Sequence, residues 1–215
     1  MKIYSVFNSI DGEVNPYGQG AFSTFIRFAG CNLNCKWCDT KYAQDPDSGR
    51  EWTVDEILIQ LNKIGCNKVT ITGGEPLLQM KDFAQLTNKL WHNGYRMTVE
   101  TNGSLSLYGY GVESWIVDYK LPSSGEMDKM NHKMFADLRI NDFVKFVIMD
   151  ADDYRIAMEK VLALKICGCR AKMVFSPCAG KTDHKVLMNW LQKDKAYNIQ
   201  LNFQLHKLVD LEEPA

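Results

Sequence analysis

Three thiols fall within eight positions of this chain, in Cys31-Asn32-Leu33-Asn34-Cys35-Lys36-Trp37-Cys38. The spacing is C-x3-C-x2-C. Thiolates are soft ligands suited to iron–sulfur clusters, and a cubane 4Fe-4S cluster has four irons that each want an outside ligand. Three cysteines leave one iron open, a place an enzyme can give to a substrate. Zinc sites usually take four ligands, often as two C-x2-C pairs, and no second pair or well-spaced His lies nearby. The motif therefore points to a 4Fe-4S cluster on Cys31, Cys35 and Cys38. The other four cysteines, Cys66, Cys167, Cys169 and Cys178, lie far apart or in apolar surroundings. They are expected to be buried small hydrophobes. No later group of cysteines could hold a second cluster.

A second motif, Thr72-Gly73-Gly74-Glu75-Pro76, follows a β-rich run. Its glycines let the backbone approach a ligand closely, and its carbonyls can accept from an ammonium group. Glu75 would add a charge-assisted acceptor. Glu100-Thr101-Asn102-Gly103 ends the next such run.

These motifs need elements to hold them. Residues 23–29, 68–72, 96–100, 115–120, 142–149, 171–175 and 199–205 are rich in β-branched and aromatic residues and are predicted strands. Between them lie helical patterns. Thr53 and Glu56 form a capping box before Ile57, Leu58, Leu61 and Ile64, and further helices are predicted over 82–92, 152–164 and 184–192. Residues 41–52, polar with Pro46 and Gly49, are expected to form a flexible loop. Strand and helix in alternation imply parallel βαβ units with right-handed crossovers. A closed eight-fold barrel takes about 250 residues. A chain of 215 residues fits an α/β partial, open TIM-type barrel with about six core strands, forming a single domain over 1–215. The motifs follow strands, so they should converge at the strands' carboxyl ends.

Composition narrows the class. A net charge of −1 argues against broad binding to nucleic acid or anionic membrane. No apolar run approaches a membrane span, the start does not read as a signal peptide, and clustered thiols in an odd count of seven do not suit a secreted disulfide framework. A cytoplasmic protein is expected.

The cysteine spacing, with the aromatic Trp37 before the last cysteine, resembles the radical S-adenosylmethionine (SAM) superfamily. Further segments resemble the 7-carboxy-7-deazaguanine synthase family within it. They are Ser9-Ile10-Asp11-Gly12-Glu13 (Asp11 where the family has Gln), Phe25-Ile26-Arg27-Phe28-Ala29-Gly30-Cys31, Cys38-Asp39-Thr40, Lys120-Leu121-Pro122-Ser123-Ser124-Gly125 and Gln204-Leu205-His206-Lys207. The resemblance implies a lyase of deazapurine (queuosine-type) biosynthesis. Its reaction turns 6-carboxy-5,6,7,8-tetrahydropterin into 7-carboxy-7-deazaguanine by radical ring contraction with loss of ammonia. The implied cofactors are the 4Fe-4S cluster, SAM and Mg²⁺. An electron donor such as flavodoxin or ferredoxin, and a homodimer, are implied as well.

Residue by residue, the resemblance places the pterin on Ile10, Asp11, Gly12 and Glu13, on Arg27 through its carboxylate, and on Thr72. It places SAM against Trp37, Cys38, Asp39, Gly73, Gly74, Glu75 and Glu100. Two more SAM-contacting loops are implied. Asp118-Tyr119-Lys120 stands where the family often reads Ser-Pro-Lys, and Ser176-Pro177-Cys178-Ala179 where it often reads Gln-Pro-x-Ser. Thr40 would supply an oxygen to Mg²⁺, and the chain end at Ala215 is a further candidate for substrate contact. Competing readings are an activase that installs a glycyl radical in a partner protein, and a non-catalytic iron–sulfur carrier or sensor. An activase would not need the 10–13 turn, and a carrier would not need the TGGEP turn.

Overall fold

The computed structural model describes residues 1–209, so Ala215 lies outside the described residues. The strands are β1 (Lys2–Ile10), β2 (Phe22–Phe28), β3 (Arg50–Glu51), β4 (Lys68–Gly73), β5 (Arg96–Thr101), β6 (Val112–Asp118), β7 (Phe143–Ile148), β8 (Lys172–Pro177) and β9 (Gln200–Leu201). They form one sheet in the order β3-β1-β2-β4-β5-β6-β7-β8-β9. From β2 to β9 every neighbour is parallel, whereas β1 runs antiparallel to both β2 and β3. The sheet is open, with six full-length parallel strands and the short β9, as the chain length suggested.

Helices α1 (Val54–Ile64), α2 (Met80–His92), α3 (Ala151–Ile166) and α4 (His184–Lys193) pack outside the sheet, and a short α5 (Leu205–Leu208) follows β9. The capping box of Thr53 and Glu56 is present, and Gly65 closes α1 at φ 76°. Among the described residues, no helix is long and apolar enough to cross a membrane.

Several expectations change. β1 escapes the pattern reading because only Ile3 and Phe7 of its nine residues are buried. The strand expected over 199–205 shrinks to Gln200–Leu201 and gives way to α5. Residues 41–52 are not a free loop, since Arg50 and Glu51 pair with β1 and Ala43 is fully buried. Strict strand–helix alternation also fails. β5 to β6 and β6 to β7 are joined without an α-helix, the second through 3-10 turns at Pro122–Ser124, Met127–Lys129 and Met134–Asp137. Met130, Met134, Phe135 and Leu138 cover the sheet there in a helix's place.

The period-two alternation of strands separates core from site. Val69, Ile71, Val99, Trp115, Val117, Tyr119, Val144 and Phe146 belong to the main apolar core with the helices. Residues of the opposite parity face the barrel interior. There Thr70 bonds Ser23 at 2.8 Å and Thr98 at 3.1 Å, and it donates to Asp11 Oδ1 at 2.8 Å. Lys68 pairs with Asp11 and reaches Asn15 at 3.3 Å. A small apolar cluster of Val14, Ile116, Phe143 and Val174 completes this floor.

Candidate active site

Above the floor, at the carboxyl ends of the parallel strands, a cavity gathers nearly all of the residues singled out from sequence. Cys31, Cys35, Cys38, Trp37, Asp39, Thr40, Gly73, Gly74 and the 10–13 turn line it. So do Arg27, Thr72, Glu100, Asp118, Lys120 and the 176–179 loop. Register explains the convergence, since Arg27 pairs with Thr72, Asp118 with Lys145, and Val147 with Ser176 across parallel neighbours.

The cysteine loop is held by backbone and by a distant turn. Gly30 N donates to Ala43 O at 2.9 Å and Cys31 N to Gln44 O at 3.0 Å. Lys36 N donates to Ser124 O at 3.0 Å, Asn34 N to Glu126 Oε1 at 3.0 Å, and Trp37 Nε1 to Ser123 Oγ at 2.9 Å. The Pro122–Ser124 segment, noted above as a family likeness, is thus a brace for this loop.

The two glycines, which line the cavity, also have a packing role. A Cβ on Gly73, whose φ is 142°, would lie 2.2 Å from Phe28 O, and one on Gly74 would lie 2.3 Å from Gly30 O. They let the end of β4 press against the backbone entering the cysteine loop, where Gly74 N donates to Phe28 O at 2.9 Å. Glu75 is also reassigned. Its fully buried carboxylate accepts from Leu77 N (3.0 Å), Asn102 N (2.7 Å) and Thr101 Oγ1 (2.9 Å), so it braces the loop after β5 and has no face toward the cavity. Burial still holds its carboxyl above the usual range. Tyr119 points to the other side of the sheet and packs on Phe135 and Phe146, as alternation between Asp118 and Lys120 requires.

Asp11 borders the cavity, but its polar groups already have protein partners. Its N–H donates to Ala21 O, its carbonyl accepts from Gly20 N, and its carboxylate holds Lys68 and Thr70. It anchors the 10–13 turn. Among the other cysteines, Cys169 and Cys178 are buried as expected, Cys66 is half-buried and Cys167 is exposed. Cys167 caps the end of α3, where the chain turns at the surface.

The donor chemistry suits a cluster, since the soft thiols of Cys31, Cys35 and Cys38 all line this one cavity. Burial pushes the Cys35 thiol up to about 11 and raises Cys31, and binding of a metal group would release those protons. The Gly73–Gly74 turn lines the same cavity, where it would face a ligand of the cluster.

The rest of the wall is charged. Thr72 Oγ1 donates to Glu100 Oε2 at 2.8 Å. Burial, with Glu13 nearby, pushes the Glu100 carboxyl up to about 7. Burial opposes ionisation of Asp118 as well, yet Lys120 and Lys145 hold it below the usual range. Lys120 Nζ lies 2.7 Å from Asp118 Oδ2 and 5.3 Å from the Trp37 ring centroid. Arg27 is buried under the rings of Phe7 and Tyr42.

Sequence reasoning missed Lys145 and gave no role to Gln204, His206 or Lys207, all of which line the cavity. Gln204 Nε2 donates to Glu13 Oε1 at 2.9 Å, and Lys207 Nζ to Asp39 Oδ2 at 2.9 Å. A Cβ on Gly12 would strike the His206 ring, so that glycine admits the C-terminal segment. The signal for Lys145 was available as a lone charge inside an apolar strand.

Comparison with known proteins agrees with this geometry. Residues 25–115 match the radical SAM superfamily model. A 7-carboxy-7-deazaguanine synthase of Clostridium acetobutylicum is 36% identical over 97% of this chain and 95% of its own length. One of Koribacter versatilis is 32% identical over 97% and 96%. The crystal structure of QueE from Escherichia coli superposes with a TM-score of 0.72 at 23% identity, covering 94% of this chain and 93% of that one, which shows the shared fold. With 32–36% identity to such relatives over 97% of its length, a tri-cysteine loop at the barrel mouth and the open parallel sheet, this chain belongs to the radical SAM superfamily and, within it, to the 7-carboxy-7-deazaguanine synthase family.

Proposed function

We propose that this protein converts 6-carboxy-5,6,7,8-tetrahydropterin into 7-carboxy-7-deazaguanine and ammonia. One observation carries the reading. The cavity that contains the three thiols also contains Arg27, Glu13 and Glu100, groups suited to a carboxylate and to an N–H-rich ring edge. The reaction is redox-neutral overall, because substrate and product differ by one ammonia.

The 4Fe-4S cluster on Cys31, Cys35 and Cys38, with SAM, would supply the hydrogen-abstracting radical. The chain's own residues do the rest. The backbone of Gly73 and Gly74 and the Trp37–Asp39 segment seat SAM, with Lys120 and the 176–179 loop on the far wall. Arg27 pairs with the substrate carboxylate, and the 10–13 turn meets the pterin edge. Glu100, with a carboxyl near neutrality, can hold or release a proton next to Thr72. Thr40 and its neighbour Asp39 present oxygens, the donors that Mg²⁺ prefers.

The whole chain, 1–215, is one radical SAM domain. The working form is a cytoplasmic homodimer, supplied with electrons by a flavodoxin or ferredoxin. Anaerobic incubation of reconstituted protein with SAM, a reductant and 6-carboxytetrahydropterin should yield 7-carboxy-7-deazaguanine by mass spectrometry. SAM cleavage without that product would reject the substrate assignment.

A further inference from the structure

Lys145 is the one charged residue of β7, and it is 8% exposed. Alternation turns it into the cavity. Its ammonium pairs with Glu13 from the turn after β1 and with Asp118 Oδ1 at 3.2 Å on β6. Glu100 on β5 acts on it through space, and Lys120 and Asp39 of the cysteine loop feel its charge. This one cation thus faces carboxylates from the turn after β1, from β5 and from β6.

Without it, Glu13, Glu100 and Asp118 would share a buried volume with Lys120 as their neighbouring ammonium. Like charges in such a space force protonation or displacement of one member. The Glu13 carboxylate has about four lone-pair sites, of which Lys145 and Gln204 use two here.

We propose that Lys145 is a positioning residue for ligand recognition, holding the Glu13 carboxylate in place and aimed at a paired N–H edge such as a 2-amino-4-oxopyrimidine. This rests on the reading that the cavity takes a pterin. The burial of the ion pair gives the arrangement its direction, since Glu13 cannot turn toward bulk water without abandoning Lys145. The remaining sites on Glu13 face the cavity, where an amide N–H and an exocyclic amine can donate side by side.

The test is a double-mutant cycle on the cluster-loaded protein, with the stable fluorescent probe pterin-6-carboxylate. Lys145→Met and Glu13→Gln should each weaken probe binding about tenfold or more. The double variant should be no weaker than the poorer single one, and Lys145→Arg should stay within about threefold of wild type. Melting temperature supplies a readout free of the probe. Lys145→Met should lose stability as pH rises, and adding Glu13→Gln should restore much of it. Losses that multiply in the double variant, or no probe binding by wild type, overturn the proposal. Turnover of 6-carboxytetrahydropterin by wild type, run in parallel, reports on the catalytic reading separately.

Discussion

The barrel interior holds two buried lysine networks, and they serve opposite ends. At the floor, Lys68 meets the carboxylate of Asp11, with Asn15 and Thr70 filling the remaining hydrogen-bonding sites. At the mouth, Lys145 faces Glu13, Asp118 and Glu100, and Lys120 shares Asp118. The floor is a closed pair with its partners supplied by the fold. The mouth has more carboxylates than the pairs can neutralise, and burial, with Glu13 nearby, lifts the Glu100 carboxyl toward neutrality. Both lysines occupy inward positions of strands. What separates a structural ion pair from a site is whether the surrounding groups satisfy it completely.

The comparison can be broken at several points. The largest effect should come from the cluster ligands. Cys31→Ala, Cys35→Ala or Cys38→Ala should each abolish cluster binding and SAM cleavage, while the half-buried Cys66→Ala keeps both. Iron near four per chain in any of the three would refute the ligand set.

At the floor, Lys68→Met strands a buried carboxylate and should cost about 3–5 kcal/mol of unfolding free energy. Adding Asp11→Asn should recover much of that loss. A denaturation midpoint unchanged by Lys68→Met would mean the pair is not structural.

Arg27→Ala removes a charge-assisted contact at the mouth worth roughly 1.5–3 kcal/mol. Binding of the pterin probe should weaken by one to two orders of magnitude, with SAM affinity little changed. Equal losses for both ligands would move Arg27 out of the substrate subsite.

Glu100 sets a pH signature. Its carboxyl rises from 4.5 to about 7 on folding, so the folded state holds the proton more tightly. Its contribution to stability is greatest below 4.5 and is lost as pH rises through about 7. Glu100→Gln should therefore stabilise the protein at pH 8, by on the order of 1 kcal/mol after solvent screening, and change little at pH 4. A gain independent of pH would contradict the assignment.

The smallest effect belongs to Thr40→Val, which keeps the shape and deletes one oxygen. It should blunt the stimulation of turnover by Mg²⁺ and leave the cluster's absorbance intact. A full Mg²⁺ response in that variant would place the metal elsewhere.

Much of this molecule was determined by local chemistry that a linear reading can reach. Cys31, Cys35 and Cys38 sit close in sequence, so their joint presence in one loop follows from spacing. The Thr53–Glu56 capping box and the β-branched runs at β4, β5, β7 and β8 are likewise short-range facts. Tertiary structure alone decided what depends on long-range pairing. Asp11 meets Lys68 across 57 residues, and Glu13 meets Lys145 across 132. No periodicity carries such distances. Glu75 looked like a ligand because its type and motif suit an ammonium, but Thr101 and Asn102 from the next strand's end reach it first. Tyr119 looked like a site residue by proximity to Lys120, and the strand's alternation put it in the core. Residue type and spacing therefore named the chemistry, and register across the sheet settled which side chains face it, because a one-residue step along a strand reverses the face.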